Sequence, residues 1–337
     1  MTLILAIETS CDETACAVVR DGREILSSIV SSQINVHTLY GGVVPEVASR
    51  IHVENISAVI HEAVRRSGVT MDDIDAIAYT QGPGLIGSLH VGVQAAKTLA
   101  WEFHKPLVPI NHMTGHIYAN RFVDTLEFPL LALVISGGHS QLVWMKNDWD
   151  FKVIGTTWDD AIGEAYDKVS RVLGTGYPGG PVIDKMAKLG HPHYTLPTPR
   201  VQGKYDFSFS GLKTAVSQLI QREEKKGNPI VKEDVAYAFQ EAALGSMVEK
   251  TLNAVADLHP KTVVLAGGVA ANSRLRELMK EKMTKFPEVK LIIPGIKYCT
   301  DNAAMIGAAG YVAYQHHLFG DFTASADPSL EMPGEGE

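Results

Sequence analysis

Apolar and polar positions in this chain keep switching between two periods, about two residues and about 3.6, and the switches divide it into alternating strands and helices. Residues 3–8 are an apolar run that reads as a strand, followed by the polar turn Thr9-Ser10-Cys11-Asp12-Glu13-Thr14. Residues 15–19 make a second strand, and Asp21-Gly22 turns the chain into a third near residues 25–30. A connection through Tyr40-Gly41-Gly42 leads to a helix over 52–66, with Val53, Ile56, Val59, Ile60 and Val64 on one face and Gly68 at its C′ position. A strand over 74–80 runs through the glycine-rich loop Gly82-Pro83-Gly84-Leu85 into a helix ending near Trp101. Residues 107–110 then form a buried strand ahead of Asn111-His112-Met113-Thr114-Gly115-His116.

Beyond Phe128-Pro129 the pattern restarts. Residues 130–135 are a strand, Ser136-Gly137-Gly138-His139-Ser140 a tight turn, 141–145 and 151–155 further strands, and 159–173 a helix. Both halves therefore run strand, polar turn, strand, strand, helix, and an internal duplication of α/β units follows. Between 174 and 232 the rhythm breaks into a stiff Pro/Gly loop, a short helix holding Asp184, a Pro/Thr/His-rich stretch and a helix opening at Ser208-Phe209-Ser210-Gly211-Leu212-Lys213. A long helix covers 233–258 and a buried strand 261–266. Gly267-Gly268-Val269-Ala270-Ala271-Asn272 enters the helix 273–285, residues 291–294 form the last strand, and Cys299-Thr300-Asp301-Asn302 begins the last helix. This predicts an α/β fold of two lobes, 1–128 joined by the last helix (302–324) and 129–301 with a helical insertion at 174–232. A loose acidic tail is expected over 325–337.

Composition narrows the class. Hydrophobic residues make up 45% and charged residues 20%, as in ordinary globular proteins, and no apolar run reaches the roughly 20 residues that span a bilayer. The first apolar run is cut off by Glu8 and lacks a basic leader, which suits a first strand, not a signal peptide. Three cysteines, odd in number and without a CxxC, argue against a disulfide framework or a cysteine zinc site and suggest a cytoplasmic chain. The net charge of −8 is wrong for unaided grip on nucleic acid, so such a role needs a local basic face or a partner.

The candidate chemistry begins with His112 and His116. At i and i+4 on a helix the two imidazoles share one face, a spacing that suits two ligands of one metal ion. A carboxylate from elsewhere would complete the set, and Asp301 is the candidate; on position alone Asp301 also reads as a helix N-cap. Glycine- and hydroxyl-rich turns such as Ser136-Gly137-Gly138-His139 let backbone N–H groups approach a phosphate. The order of strands, phosphate turn and Gly-Gly-helix segment resembles the actin/Hsp70/sugar-kinase (ribonuclease H-like) superfamily, with a nucleotide and metal cleft between its lobes.

The longer motifs narrow that likeness. Ile7-Glu8-Thr9-Ser10-Cys11-Asp12-Glu13-Thr14, Gly41-Gly42-Val43-Val44-Pro45-Glu46, His112-Met113-Thr114-Gly115-His116, Ser136-Gly137-Gly138-His139, Phe207-Ser208-Phe209-Ser210-Gly211-Leu212-Lys213 and Cys299-Thr300-Asp301-Asn302 resemble the bacterial TsaD (Gcp, YgjD) family from about residue 3 to 315. The resemblance implies transfer of a threonylcarbamoyl group from threonylcarbamoyl-adenylate to N6 of the tRNA adenine 3′ of the anticodon, in tRNAs that read codons beginning with A. It implies His112, His116 and Asp301 as ligands of one divalent metal, Fe2+ with Zn2+ as the alternative. It implies adenylate binding by Ile135, Ser136, Gly137, Gly138, His139, Asp167, Gly180, Asp184 and Asn272. Where archaeal relatives can place a metal-reaching Tyr, this chain has Val134. A general base is still required, and Glu13, then Asp12, are the candidates. Asp167 also reads as a surface charge, Gly180 as a turn residue and Asn272 as a cap.

The implied partners are tRNA, a TsaB-like paralogue and a TsaE-like P-loop ATPase, with no membrane. Lys185, Lys188, Arg200, Lys204 and Lys213 could form a tRNA face. Two rival readings are a small-molecule kinase or ATPase of the same fold, which needs no His/His/Asp site, and a metallopeptidase. The second lacks the HExxH glutamate, since Met113 follows His112.

Overall fold

The computed structural model describes residues 1–198 and 201–333. In chain order its elements are β1 (Leu3–Glu8), β2 (Glu13–Arg20), β3 (Glu24–Ser32), α1 (Ile34–Thr38), α2 (Pro45–Ser67), β4 (Ala76–Gly82), α3 (Ile86–Glu102), β5 (Leu107–Asn111) and α4 (His112–Tyr118). There follow β6 (Leu130–Ile135), β7 (Ser140–Met145), β8 (Phe151–Thr156), α5 (Ile162–Leu173), α6 (Gly179–Ala187), α7 (Ser210–Lys225), α8 (Lys232–Leu258), β9 (Thr262–Ala266), α9 (Ser273–Met283), β10 (Lys290–Ile292) and α10 (Ala303–Gln315). They fall into two units, Met1–Leu126 with the chain from Pro294 onward, and Glu127–Ile293.

The first unit holds a five-stranded sheet in the order β3-β2-β1-β4-β5, and the second one in the order β10-β9-β6-β7-β8. Read from the other edge, the second order repeats the first. In both, the first three strands pair antiparallel and the remaining two are added parallel. The α/β class and the duplication are therefore as the pattern predicts.

Side-chain alternation along β1 decides what each face of the first sheet meets. Leu3, Leu5 and Ile7 join Ile56, Val59 and Ala63 of α2 and Leu89, Val93 and Ala96 of α3 in one apolar cluster. Ile4 and Ala6 point to the opposite face, which α10 covers. There α10 presents glycine: a Cβ on Gly307 would lie 2.6 Å from Val19 Cγ2, and one on Gly310 2.5 Å from Ala78 Cβ. The missing side chains are what let this helix sit against the strands. Glu8, two residues beyond Ala6, falls on the same face.

Several boundaries differ from the pattern. Helix α2 begins at Pro45, seven residues before the expected start at 52, with proline in its first turn and Gly68 in the left-handed conformation at its end. Helix α5 begins at Ile162 and not at 159. The division between units falls at 293/294 and not after 301, which moves Asp301 from the second unit to the first. The tail does not hang loose over residues 325–333, since Ala326 and Met332 are buried. Among the described residues no helix is long and apolar enough to cross a membrane.

Candidate functional site

Helix α4 has only seven residues, and its start is set by Asn111, whose Oδ1 accepts from Met113 N at 2.8 Å and Thr114 N at 3.4 Å. One turn later His116 follows His112 on the same face. A Cβ on Gly115 would lie 2.8 Å from Ile306 Cδ1, so glycine there lets α4 approach α10. The N-cap of α10 is Asn302, which accepts from Met305 N at 3.0 Å. Asp301 is thereby released from capping, and its carboxylate reaches the two imidazoles.

The geometry is compact. His112 Nε2 and His116 Nε2 are 3.2 Å apart, and Asp301 Oδ1 lies 3.4 Å from the first and 3.2 Å from the second. A tetrahedral ion with bonds of about 2.0–2.1 Å separates its ligands by about 3.3 Å, so these three atoms fit one face of such a shell. The rings stand nearly perpendicular, at 87°.

The donors are also oriented from behind. Glu8 Oε2 lies 3.1 Å from His112 Nδ1, and Ser10 Oγ lies at the same distance from that nitrogen. A carboxylate accepts, so Nδ1 carries a proton and Nε2 is the nitrogen turned to the centre. Glu8 is itself held by Thr80 Oγ1 and by the Ser10 backbone N–H. His116 Nδ1, by contrast, is buried without a hydrogen-bond partner.

Charge follows the same layout. Burial works against the charged form of His112, but Asp301 and Glu8 outweigh it and hold the imidazole well above its ordinary range. Burial, with the neighbouring His112 charge, lowers His116. Asp301 is held below the usual carboxylate range, against burial, by His112 and His116. A buried carboxylate, Glu8, and a half-buried one, Asp301, facing two imidazoles form a site that favours a cation.

Asp12 closes the turn between β1 and β2, and Glu13 opens β2. Glu13 Oε1 accepts from Ser32 Oγ at 3.0 Å. Burial, then the charges of Asp301 and Asp12, push the Glu13 carboxyl up to about 9. The turn is anchored by His52 of α2, whose Nε2 donates to Cys11 O at 2.9 Å and whose Nδ1 accepts from Thr14 Oγ1 at 2.7 Å.

The nucleotide candidates all lie in the second unit. Ile135 ends β6, and the turn after it closes on itself through Ser136 N to His139 O at 2.8 Å and His139 N to Ser136 Oγ at 3.1 Å. Gly137 and Gly138 are exposed, with open space where side chains would stand. Gly267, at φ +89°, lies against the end of β6: a Cβ there would be 2.2 Å from Ile135 O. Asp167 Oδ1 accepts from Gly179 N at 2.7 Å and burial raises its pKa, so it is not a plain surface charge. Gly180, one residue on, also has open space. Asp184 accepts from Ser273 N at 3.2 Å and Ser273 Oγ at 2.9 Å. Asn272 caps α9 through Leu275 N at 2.9 Å, and its Nδ2 donates to Gln240 Oε1 at 2.8 Å. Asp184 and Asn272 thus meet at the start of α9, and Asp167 holds the start of α6.

Glu8, Ser10 and Thr80 are the members that sequence reasoning passed over. An acid closing an otherwise apolar strand was the available signal, and it reads equally well as the strand's polar end. Of the proposed tRNA face, Lys188 pairs with Asp184 at 3.8 Å and Lys204 with Asp257 at 2.8 Å, while Lys185 and Lys213 are exposed. Arg200 lies outside the described residues.

With this geometry in hand, comparison with known proteins is direct. The family model for TsaD, tRNA N6-adenosine threonylcarbamoyltransferase, matches residues 24–308. The tRNA N6-adenosine threonylcarbamoyltransferase of Lactiplantibacillus plantarum is 53% identical over 337 residues, covering 98% of this chain and 97% of that protein. The Bacillus subtilis protein of the same name is 51% identical over 330 residues, covering 98% and 95%. Among solved structures, HypF of T. kodakarensis gives a TM-score of 0.65 at 13% identity over 94% of this chain and 48% of that one. Component A of the Acidaminococcus fermentans (R)-2-hydroxyglutaryl-CoA dehydratase gives 0.53 at 16% identity, over 93% and 97%. These two structures bear on the fold alone. Neither a kinase nor a peptidase reading is favoured by a family match of this extent, and the chain belongs to the TsaD family of tRNA N6-adenosine threonylcarbamoyltransferases.

Proposed function

We propose that this chain transfers the threonylcarbamoyl group of threonylcarbamoyl-adenylate to N6 of the adenosine 3′ of the anticodon, in tRNAs reading codons that begin with A. The observation that carries the reading is the convergence of His112, His116 and Asp301 within 3.4 Å of one another, in a member of this family. Two imidazoles and one carboxylate on one side suit Fe2+, with Zn2+ as the alternative. Bound there, the ion would polarise the carbamoyl carbonyl and orient the threonyl moiety.

The remaining tasks fall to the protein's own groups. Glu8 keeps a proton on His112 Nδ1, so Nε2 is the nitrogen left to bind an ion when its own proton is displaced. Glu13, with Asp12 beside it, is the group that takes the proton N6 loses as the new bond forms. Raised to about 9 by burial and then by the Asp301 and Asp12 charges, its carboxyl holds a proton at neutral pH, so it serves as base only where a cation at the site offsets those charges. Backbone N–H groups of the Ser136–His139 turn take the phosphate, and AMP is already a good leaving group. Asp167, Gly180, Asp184 and Asn272 receive the adenosine portion. The support for this set is the open space at Gly137, Gly138 and Gly180, together with the carboxylates of Asp167 and Asp184 at the starts of α6 and α9.

The tRNA contacts are assigned to the second unit. All of the chain's negative excess resides in the first, whereas basic side chains slightly outnumber acidic ones in the second. Lys185, Lys188, Lys204 and Lys213 are the candidates. A TsaB-like paralogue and a TsaE-like ATPase complete the working assembly, which operates in the cytoplasm. The test is mass spectrometry of nucleosides from tRNA incubated with the protein, adenylate and partners. Threonylcarbamoyladenosine should appear, and its formation should cease with His116→Ala. Unmodified adenosine under conditions where a relative is active overturns the proposal.

A further inference from the structure

The described end of the chain lies across the start of the metal-ligand helix. Asn111 uses its two side-chain ends differently. Its Oδ1 caps α4, while its Nδ2 donates to Leu330 O and Glu331 O, both at 3.1 Å. The same segment is tied along the end of β4. Gln81 Nε2 donates to Ser325 O at 3.0 Å, Asp327 N to Gln81 O at 2.9 Å and Gly84 N to Pro328 O at 3.2 Å. Gly82, paired with Asn111 across β4 and β5, has no room for a side chain: a Cβ there would be 1.8 Å from Asp327 O and 2.9 Å from Leu330 Cβ. Ala326 and Met332 are 8% and 3% exposed, so the segment is packed as well as bonded.

Helix α4 is too short to hold its own geometry, since isolated helices below about 12–15 residues are marginal in water. The angle at which it leaves β5 therefore depends on its cap and its packing. That angle decides whether His112 and His116 point to one place.

We propose that residues 325–332 are a clamp on the metal centre, with Asn111 as the positioning residue that relays it. The segment fixes the Asn111 side chain, Asn111 fixes the first turn of α4, and the turn fixes the two imidazoles. The inference rests on the reading of His112, His116 and Asp301 as metal ligands. It concerns affinity and order at that site, not a contact with substrate.

Three variants reach the clamp by separate routes. Deletion of residues 325–337 removes it. Asn111→Ser keeps a helix cap but gives up the bonds to 330 and 331. Gly82→Ala displaces the segment sterically while leaving all of its residues in place. The readout is Zn2+ affinity by competition with a chromogenic chelator, with hydrogen exchange at the Met113 and Thr114 amides alongside. Each variant should bind zinc about tenfold more weakly than the intact protein. Exchange at both amides should quicken, and deletion combined with Asn111→Ser should lose no more than either alone. Circular dichroism checks folding; if the deletion unfolds, the two point variants decide. Intact protein that binds zinc, with variants that match it, overturns the clamp. Intact protein that binds no more zinc than His116→Ala overturns the metal reading and the clamp with it.

Discussion

The turn after β1 and the turn after β6 hold the same place in two copies of one sheet, yet they are held in opposite ways. In the first, Glu8, Thr9 and Ser10 are buried, and bonds arrive from three other segments: Thr9 Oγ1 donates to Ser88 O at 2.8 Å, Leu85 N to Ser10 O at 2.8 Å, and His52 Nε2 to Cys11 O at 2.9 Å. In the second, Gly137 and Gly138 face solvent, and Ser136 and His139 close the turn on themselves. A preset charge cluster needs rigid support, because a misaimed imidazole forfeits a ligand. A loop that offers backbone N–H groups needs open space instead. One hairpin plan thus appears twice, buried and cross-braced in the first sheet, exposed and closed on itself in the second.

Experiments can break that contrast at graded cost. His116→Ala removes one of three converging ligands and should abolish stoichiometric metal content, with single-turnover transfer falling by at least about a hundredfold; metal analysis and quenched-flow assay check both. Gly267→Ala places a Cβ 2.2 Å from Ile135 O at φ +89° and should cost the second unit about 3 kcal/mol, read by thermal unfolding. Metal affinity in the same variant should stay within about twofold of the intact protein if the two sites are supported independently. Glu8→Gln retains the shape but weakens the charge-assisted bond to His112 Nδ1, and metal affinity should drop about tenfold.

Acid–base behaviour gives a smaller, signed effect. Glu13 is raised from 4.5 to about 9, so the folded chain binds a proton there that the unfolded chain has released. In metal-stripped protein this contribution to stability is full below about 4.5 and is lost as pH climbs through about 9. Glu13→Gln should flatten that part of the curve in chemical denaturation at several pH values; an unchanged slope removes Glu13 from the account. Least of all, Gly137→Ala meets open space and should alter stability by under about 0.5 kcal/mol, while raising KM for the adenylate.

Much of this was legible without coordinates, for definable reasons. Strands buried on both faces read as plain apolar runs, and β1, β6 and β9 stand where those runs predict them. The start of α2 escaped because Ala48 alone is buried in its first two turns; Pro45, at the head of the helix, was the better marker. Position alone makes Asp301 the cap before α10, but Asn302, one residue on, takes that place because its amide oxygen meets the Met305 N–H. The partnership of Asp301 with two histidines some 185 positions earlier was carried by the family resemblance, since spacing says nothing at such range. Glu8 was read as the end of a strand because burial of a single acid depends on the helix that covers it. The tail was misjudged because its anchoring uses backbone carbonyls, which composition does not reveal.

Asp301, the third of the proposed ligands, comes from chain that follows the whole second unit. On the ribosome, both imidazoles and Glu8 are therefore synthesised well before Asp301 emerges. A nascent or prematurely terminated chain that stops at β10 carries an unfinished cage with two nitrogens and no closing oxygen. On the proposed assignment, stable retention of an ion would mark a polypeptide translated past residue 301, and fragments lacking that residue should leave the cellular metal pool undisturbed.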